Sequence, residues 1–201
     1  EVYYESNSNF SCKVFKGEID DYSVSEEGGI SFRGIYNGKM GYSYTEKIDE
    51  DAVETLIEMA KGNAQIIENE EKETIFKGSK KYEDIDLHPN GLAAVPVNKK
   101  LDFVRELEEK AYSMDGRVLN VNRCIYNDHQ NERKLYNTKG LNKGEKSNVG
   151  FSYISVMVQD DDNQIQNAVA FKTCRDFRDF DAESLAEQAV NKALSYLGAK
   201  P

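Results

Sequence analysis

The feature that most narrows the fold is an alternation of apolar and polar residues, broken by turn formers, running from Val2 to Thr45. Successive side chains of a strand point to opposite faces, so a period of two predicts antiparallel strands with one buried face. The pattern predicts strands over Val2–Ser6, Phe10–Lys16, Ile19–Ser25, Ile30–Tyr36 and Lys39–Thr45. The breaks fall at Asn7-Ser8-Asn9, Lys16-Gly17, Glu26-Glu27-Gly28-Gly29 and Asn37-Gly38. Asn37-Gly38 is the sharpest hairpin signal, because a type I′ turn needs positive φ at both central residues.

The period then changes. Asp49 is placed to cap a helix, Glu50 and Asp51 suit its positive end, and Ile48 with Val53 is spaced as a hydrophobic staple. Val53, Leu56, Ile57, Ala60 and Ala64 form the apolar stripe expected to cover the sheet. Residues 1–69 therefore read as one small α+β domain, closing near Asn69. Residues 70–97 are mostly charged and carry Pro89 and Pro96, which marks a connection in which Leu87-His88-Pro89 and Leu92 to Val95 offer some apolar contacts.

The second domain, 98–201, opens with a helix from Asn98 to Met114 presenting Leu101, Val104, Leu107 and Ala111. Strands follow at Arg117–Tyr126, with Leu119, Val121 and Ile125 on one face, then Glu132–Asn137, Gly150–Gln159 and Ile165–Lys172. Gly150–Gln159 is apolar on both faces, which predicts a strand covered on both sides at the centre of a sheet. A last helix is capped by Asp181, stapled by Phe180 and Leu185, and striped by Leu185, Ala189, Ala193 and Tyr196. The expected class is α+β: two small domains, each a mainly antiparallel sheet packed with helices.

Charge and composition exclude several functions. A net charge of −10 and a pI near 4.8 oppose nucleic-acid binding, which rests on clustered Lys and Arg. No apolar run reaches the ~20 residues of a membrane span, and no signal peptide opens the sequence, so the cytoplasm is the expected compartment. Cys12, Cys124 and Cys174 are too scattered for a disulfide framework or a metal knuckle and read as reduced packing residues. Glu1 in place of Met, a strand already under way at Val2, and a helix exit at Gly198-Ala199-Lys200-Pro201 suggest further sequence on both sides.

The search for chemistry yields no catalytic, cofactor-binding or metal residue. A zinc peptidase needs histidines at short helical spacing with a carboxylate base, but His88 lies in the connection and His129 in Tyr126 to Asn131, read as a turn. Each reads as an ordinary surface histidine. Asp160-Asp161-Asp162-Asn163 lacks the glycine and distal Glu of a calcium loop and reads as a hairpin turn. Cys124 and His129, as a nucleophile and base, stand too far apart along an extended chain rising about 3.3 Å per residue.

The order of motifs carries a resemblance. Val2-Tyr3-Tyr4-Glu5, Gly17-Glu18-Ile19, Gly29-Ile30-Ser31-Phe32-Arg33 and Asn37-Gly38-Lys39-Met40-Gly41-Tyr42-Ser43-Tyr44-Thr45 resemble the first domain of the TldD/PmbA family, with Gly34 where an aliphatic residue is the rule. Leu135-Tyr136-Asn137-Thr138-Lys139-Gly140-Leu141 and the stretch from Ala189 to Ala199 resemble its middle domain.

The resemblance implies a cytoplasmic protein, dimeric with itself or a paralogous subunit, that matures ribosomally made peptides by proteolysis, in a group also described as modulators of DNA gyrase. It implies that zinc, where bound, sits on a His-Glu-x-x-x-His helix of a third domain, beyond Pro201. The PmbA branch lacks that helix and acts as a partner subunit, and Leu197-Gly198-Ala199-Lys200 is closer to that branch. The expected role is thus a non-catalytic front portion that shapes a peptide cleft and dimer contacts, with no direct nucleic-acid or membrane partner. The alternative is a free-standing protein-interaction module, and a third reading is a cysteine hydrolase built on Cys124 and His129.

Overall fold

A computed structural model describes residues 1–68, 72–89 and 91–199. The expected domain edge at Asn69 and the closing Lys200-Pro201 lie outside the described residues. In chain order the elements are β1 (Val2–Phe15), β2 (Glu18–Tyr36), β3 (Lys39–Thr45), α1 (Glu50–Ile66), α2 (Val97–Met114), β4 (Val118–Tyr136), β5 (Asn142–Gln159), β6 (Ile165–Cys174) and α3 (Ala182–Ser195). Short 3-10 turns occupy Leu92–Ala94 and Phe177–Asp179. The fold is α+β, and its strands form one six-stranded sheet in the order β3-β2-β1-β4-β5-β6.

The strands are fewer and longer than the alternation predicts. Asn7-Ser8-Asn9 is no break, because Asn7 accepts from Asn131 at 2.8 Å and Asn9 accepts at 2.7 Å from His129 across the β1–β4 pair. Glu26 to Gly29 is strand too. A Cβ on Gly28 would stand 2.8 Å from the Glu5 carbonyl oxygen and one on Gly29 2.6 Å from the Tyr44 ring, so these glycines serve close packing within a strand. Tyr126 to Asn131 likewise runs inside the long β4, where a turn and a short strand were expected.

The true turns use the expected chemistry. Asn37 and Gly38 both have positive φ, 51° and 82°, and Lys16 and Gly17 repeat the device at 53° and 81°. Asn137 Oδ1 accepts from the Lys139 and Leu141 amides to close β4 onto β5. Asp160 Oδ1 does the same for Asp162 and Gln164 between β5 and β6, so the acidic run is a hairpin turn.

By contacts the chain divides into two compact units that are discontinuous in sequence. Unit 1 holds 1–8, 26–86 and 131–147, and unit 2 holds 9–25, 87–130 and 148–201. In unit 1, α1 lies on β3. Asp49 caps it, accepting from the Ala52 amide at 3.0 Å, and Lys39 donates to the Ile67 carbonyl at its far end. Its buried stripe is Ala52, Leu56, Ala60 and Ala64. The expected Val53 and Ile57 face solvent, 57% and 43% exposed, and Ile48 is exposed as well, so no staple forms. Small residues win the buried face because the helix sits close enough for Ser43 Oγ to donate to the Leu56 carbonyl at 2.7 Å and Asn63 to the Tyr42 carbonyl at 2.7 Å.

Unit 2 carries the larger core. Phe10, Cys12 and Val14 of β1, Cys124 and Tyr126 of β4, and Ile154, Val156 and Val158 of β5 meet Leu101, Val104, Leu107 and Ala111 of α2 and Leu185, Ala189 and Val190 of α3. Asp181 caps α3 through the Ser184 amide, and Phe180 and Leu185 are buried as a staple, whereas Tyr196 stays partly exposed. Leu119 is exposed as well, because the β4 pattern shifts between Val121 and Cys124, both buried.

Two charges on the buried face of α2 escape sequence patterning. Lys100 Nζ lies 2.5 Å from Asp128 Oδ2 with both side chains 3% exposed, and 4.6 Å over the Phe10 ring. Glu108 accepts the Lys16 and Gly17 amides at 2.8 and 2.6 Å, so its carboxylate fastens the β1–β2 turn to the helix.

Candidate functional site

Unit 1 contains a hollow of about 620 Å³, opened by Tyr3 and Leu135 on strands, Tyr82 and Asp84 on the connection, and Arg133 and Lys143 on β4 and β5. A second hollow of about 260 Å³, with Ser31, Arg33 and Tyr42, shares Tyr3 and Leu135 with it. A third of about 170 Å³, with Asn7, Gly29 and Tyr44, shares Tyr3 and Ser31 with the second. The three make one groove centred on Tyr3.

Most of its charges are already engaged. The Glu5 carboxylate accepts from Tyr3 Oη at 3.0 Å, Asn131 Nδ2 at 2.8 Å and Arg133 Nε at 3.0 Å. Burial pushes its pKa up, but Asn131, Arg133 and Tyr3 together outweigh that and hold it below the usual value. Burial, and then the bond given to Glu5, raise the Tyr3 hydroxyl. Lys143 lies 4.7 Å over the Tyr82 ring and Lys134 5.4 Å over Tyr4. Arg33 is raised by its partners Tyr42 and Glu1. The groove presents tyrosine rings beside the carboxylates of Glu27, Glu46, Glu83, Asp84 and Glu145, and no histidine or cysteine lines it. Among these lining residues no Ser or Cys nucleophile is paired with a histidine base.

The residues singled out in the sequence are not brought together. Cys124 points into the unit 2 core, where its Sγ lies 3.4 Å from the Val104 carbonyl oxygen and burial, the largest cause, raises its pKa strongly. His129 takes the opposite face of the same strand, against Asn9. The hydrolase reading fails on that alternation. His88 is half-buried with Nε2 3.1 Å from Gln130 Oε1, so it is not a free surface side chain. Among the described residues no three His, Cys, Asp or Glu side chains are grouped to hold a metal ion.

Sequence models of known families match on both sides of the connection. Residues 1–64 match PmbA/TldA metallopeptidase domain 1, and residues 90–197 match the PmbA/TldA metallopeptidase central domain. The chain belongs to the PmbA/TldD family. Within this family the matched parts are the first and central domains. Solved structures agree on the fold. A candidate modulator of a DNA gyrase from Thermotoga maritima superposes with a TM-score of 0.87 at 23% identity, over 99% of this chain and 44% of its own. A candidate modulator of DNA gyrase from Bacteroides thetaiotaomicron gives 0.77 at 20%, over 99% and 46%. TldE from Thermococcus kodakarensis gives 0.83 at 18%, over 96% and 43%. This PmbA/TldD chain thus spans less than half the length of those relatives. No curated protein matches it.

The groove was missed in the sequence because its residues come from segments far apart, near positions 3, 31–44, 82 and 133–145. One signal was available: six of the twelve tyrosines precede Thr45, and four of them sit on β1 or β3.

Proposed function

We propose that this chain is the non-catalytic front portion of a PmbA/TldD-type protein engaged in the proteolytic maturation of peptides, and that the Tyr3 groove of unit 1 receives an extended peptide. The observation that carries the reading is the pairing of both family domains with a groove that offers tyrosines and no nucleophile–base pair. Aromatic faces bury apolar side chains while hydroxyls bond a peptide backbone, which suits substrates of varied sequence. The PmbA-like branch, a cytoplasmic setting and a dimer with itself or a paralogous subunit belong to the same proposal. No described helix is long and apolar enough to cross a membrane.

The test has two parts. The purified chain should leave unstructured peptides uncleaved with or without added zinc; cleavage that survives chelation and repurification would refute the non-catalytic role. A fluorescein-labelled unstructured peptide should bind by anisotropy, and Tyr3→Ala with Tyr82→Ala should weaken it at least about tenfold, a loss of about 1.4 kcal/mol. Equal affinity in wild type and variant removes the groove from the reading.

A further inference from the structure

The part of β2 that belongs to unit 2, residues 18–25, has a neighbouring strand on one side and none on the other among the described residues. β3 meets β2 from Ile30, opposite Thr45, to Tyr36, opposite Lys39, and stops there. Residues 18–25 come before that stretch, so β1 flanks them on one side and the other side presents a row of backbone N–H and C=O groups without a partner strand. Every one of these residues is exposed. Tyr22 lies edge-on to the buried Phe10 at 5.7 Å and is still 48% exposed, and Val24, two residues on, is 54% exposed.

An open sheet edge is a template for a further strand, and proteins blunt it with lysine, proline or a covering element. Residues 18–25 contain no Lys, Arg or Pro. Their charges are all of one sign, Glu18, Asp20 and Asp21. Lys13 takes Asp20 at 2.5 Å, while Glu18 and Asp21 meet no cation among the described residues. Three features of the edge define what fits it. Unpaired main-chain groups select an extended chain, and Tyr22 and Val24 offer apolar contact to its alternate side chains. The free carboxylates select cations and repel a second copy of this chain, whose net charge is −10.

We propose that residues 18–25 are a docking edge for an extended segment, rich in lysine or arginine, of a partner protein, which adds to the sheet as a strand beside β2. The proposal stands apart from the peptide reading of the Tyr3 groove, whose lining belongs to unit 1. Its ammonium or guanidinium groups would meet Glu18 and Asp21, and its apolar side chains Tyr22 and Val24.

The probe is a fluorescein-labelled peptide of alternating lysine and valine, titrated into the 201-residue chain by anisotropy, with amide hydrogen exchange of residues 18–25 followed alongside. It should bind at least about tenfold more tightly than its glutamate–valine counterpart and slow exchange along residues 18–25. The same probe with every backbone nitrogen methylated should not bind, because an added strand is held through its amides. Glu18→Lys with Asp21→Lys, both exposed side chains, should weaken the lysine probe at least about tenfold, whereas Tyr3→Ala with Tyr82→Ala should leave its affinity unchanged. No binding, equal binding of the methylated probe, equal binding to the Glu18→Lys, Asp21→Lys variant, or loss of binding in the Tyr3→Ala, Tyr82→Ala variant would each overturn the proposal. So would protection of residues 18–25 that rises with the concentration of the chain alone, since a second copy would then hold the edge.

Discussion

Gly41 should be the least replaceable small residue in unit 1. It sits on β3 directly beneath α1, and a Cβ built there would stand 1.7 Å from the Ala60 carbonyl oxygen and 2.9 Å from the Ala64 amide nitrogen. Both neighbours are helix backbone, which cannot rotate aside as a side chain would. Relieving the clash requires α1 to withdraw by well over an ångström, loosening Ala60, Ala64 and Met40, each now at most 2% exposed. Overpacking by one methyl typically costs about 1–3 kcal/mol, and an immovable neighbour puts Gly41→Ala at the top of that range. For a chain of this size about 3 kcal/mol lowers the melting temperature by roughly 6–12 °C. Two other glycines calibrate the result. Gly38 has φ +82° with open space around its Cβ position, so Gly38→Ala costs only the left-handed conformation, about 1–2 kcal/mol. Gly62 lies inside α1 with nothing near its Cβ position, so Gly62→Ala should stabilise by about 0.5–1 kcal/mol. Melting by circular dichroism should rank the three in that order. A Gly41→Ala variant no worse than Gly38→Ala would mean that α1 does not rest on β3 as described.

The remaining predictions concern unit 2. Glu108→Gln leaves one oxygen for two turn amides, and should cost about 1–3 kcal/mol by urea denaturation with an unchanged slope. Lys100→Met strands a buried Asp128 and should cost about 3–5 kcal/mol, whereas Lys100→Met with Asp128→Leu should recover most of it, a coupling that a double-mutant cycle measures. The thiols should be inert to alkylation at pH 8 in the folded protein and all three should react in guanidinium, since Cys12, Cys124 and Cys174 are buried. Burial pushes the Cys12 thiol up to about 11 from 9.0, so its contribution to stability is complete below pH 9 and falls away between pH 9 and 11. Alkylation of Cys124 in the native state would contradict its place in the core.

How much of this was legible depended on the range of the cause. Local causes read well: Asn37-Gly38 and Asp160 make turns, Asp49 and Asp181 cap helices, and Leu101, Val104, Leu107 and Ala111 face the core, because each acts within a few residues of itself. Causes that cross the sheet did not. Asn7, Asn9 and the Gly28-Gly29 pair carry turn-former composition, yet β4 satisfies the asparagines and neighbouring strands crowd the glycines, so all stay extended. The same blindness hid Lys100 and Glu108, whose burial depends on Asp128 and on the Lys16-Gly17 turn. The β5 pattern sits between these cases. Its two apolar faces were plain in the sequence and promised cover on both sides, but α2 and α3 supply it for Ile154, Val156 and Val158 alone. Core packing under α2 and α3 accounts for one face of β5, whereas on the other Phe151, Tyr153 and Phe171 pack only against one another and no local rule separates the two faces in the sequence.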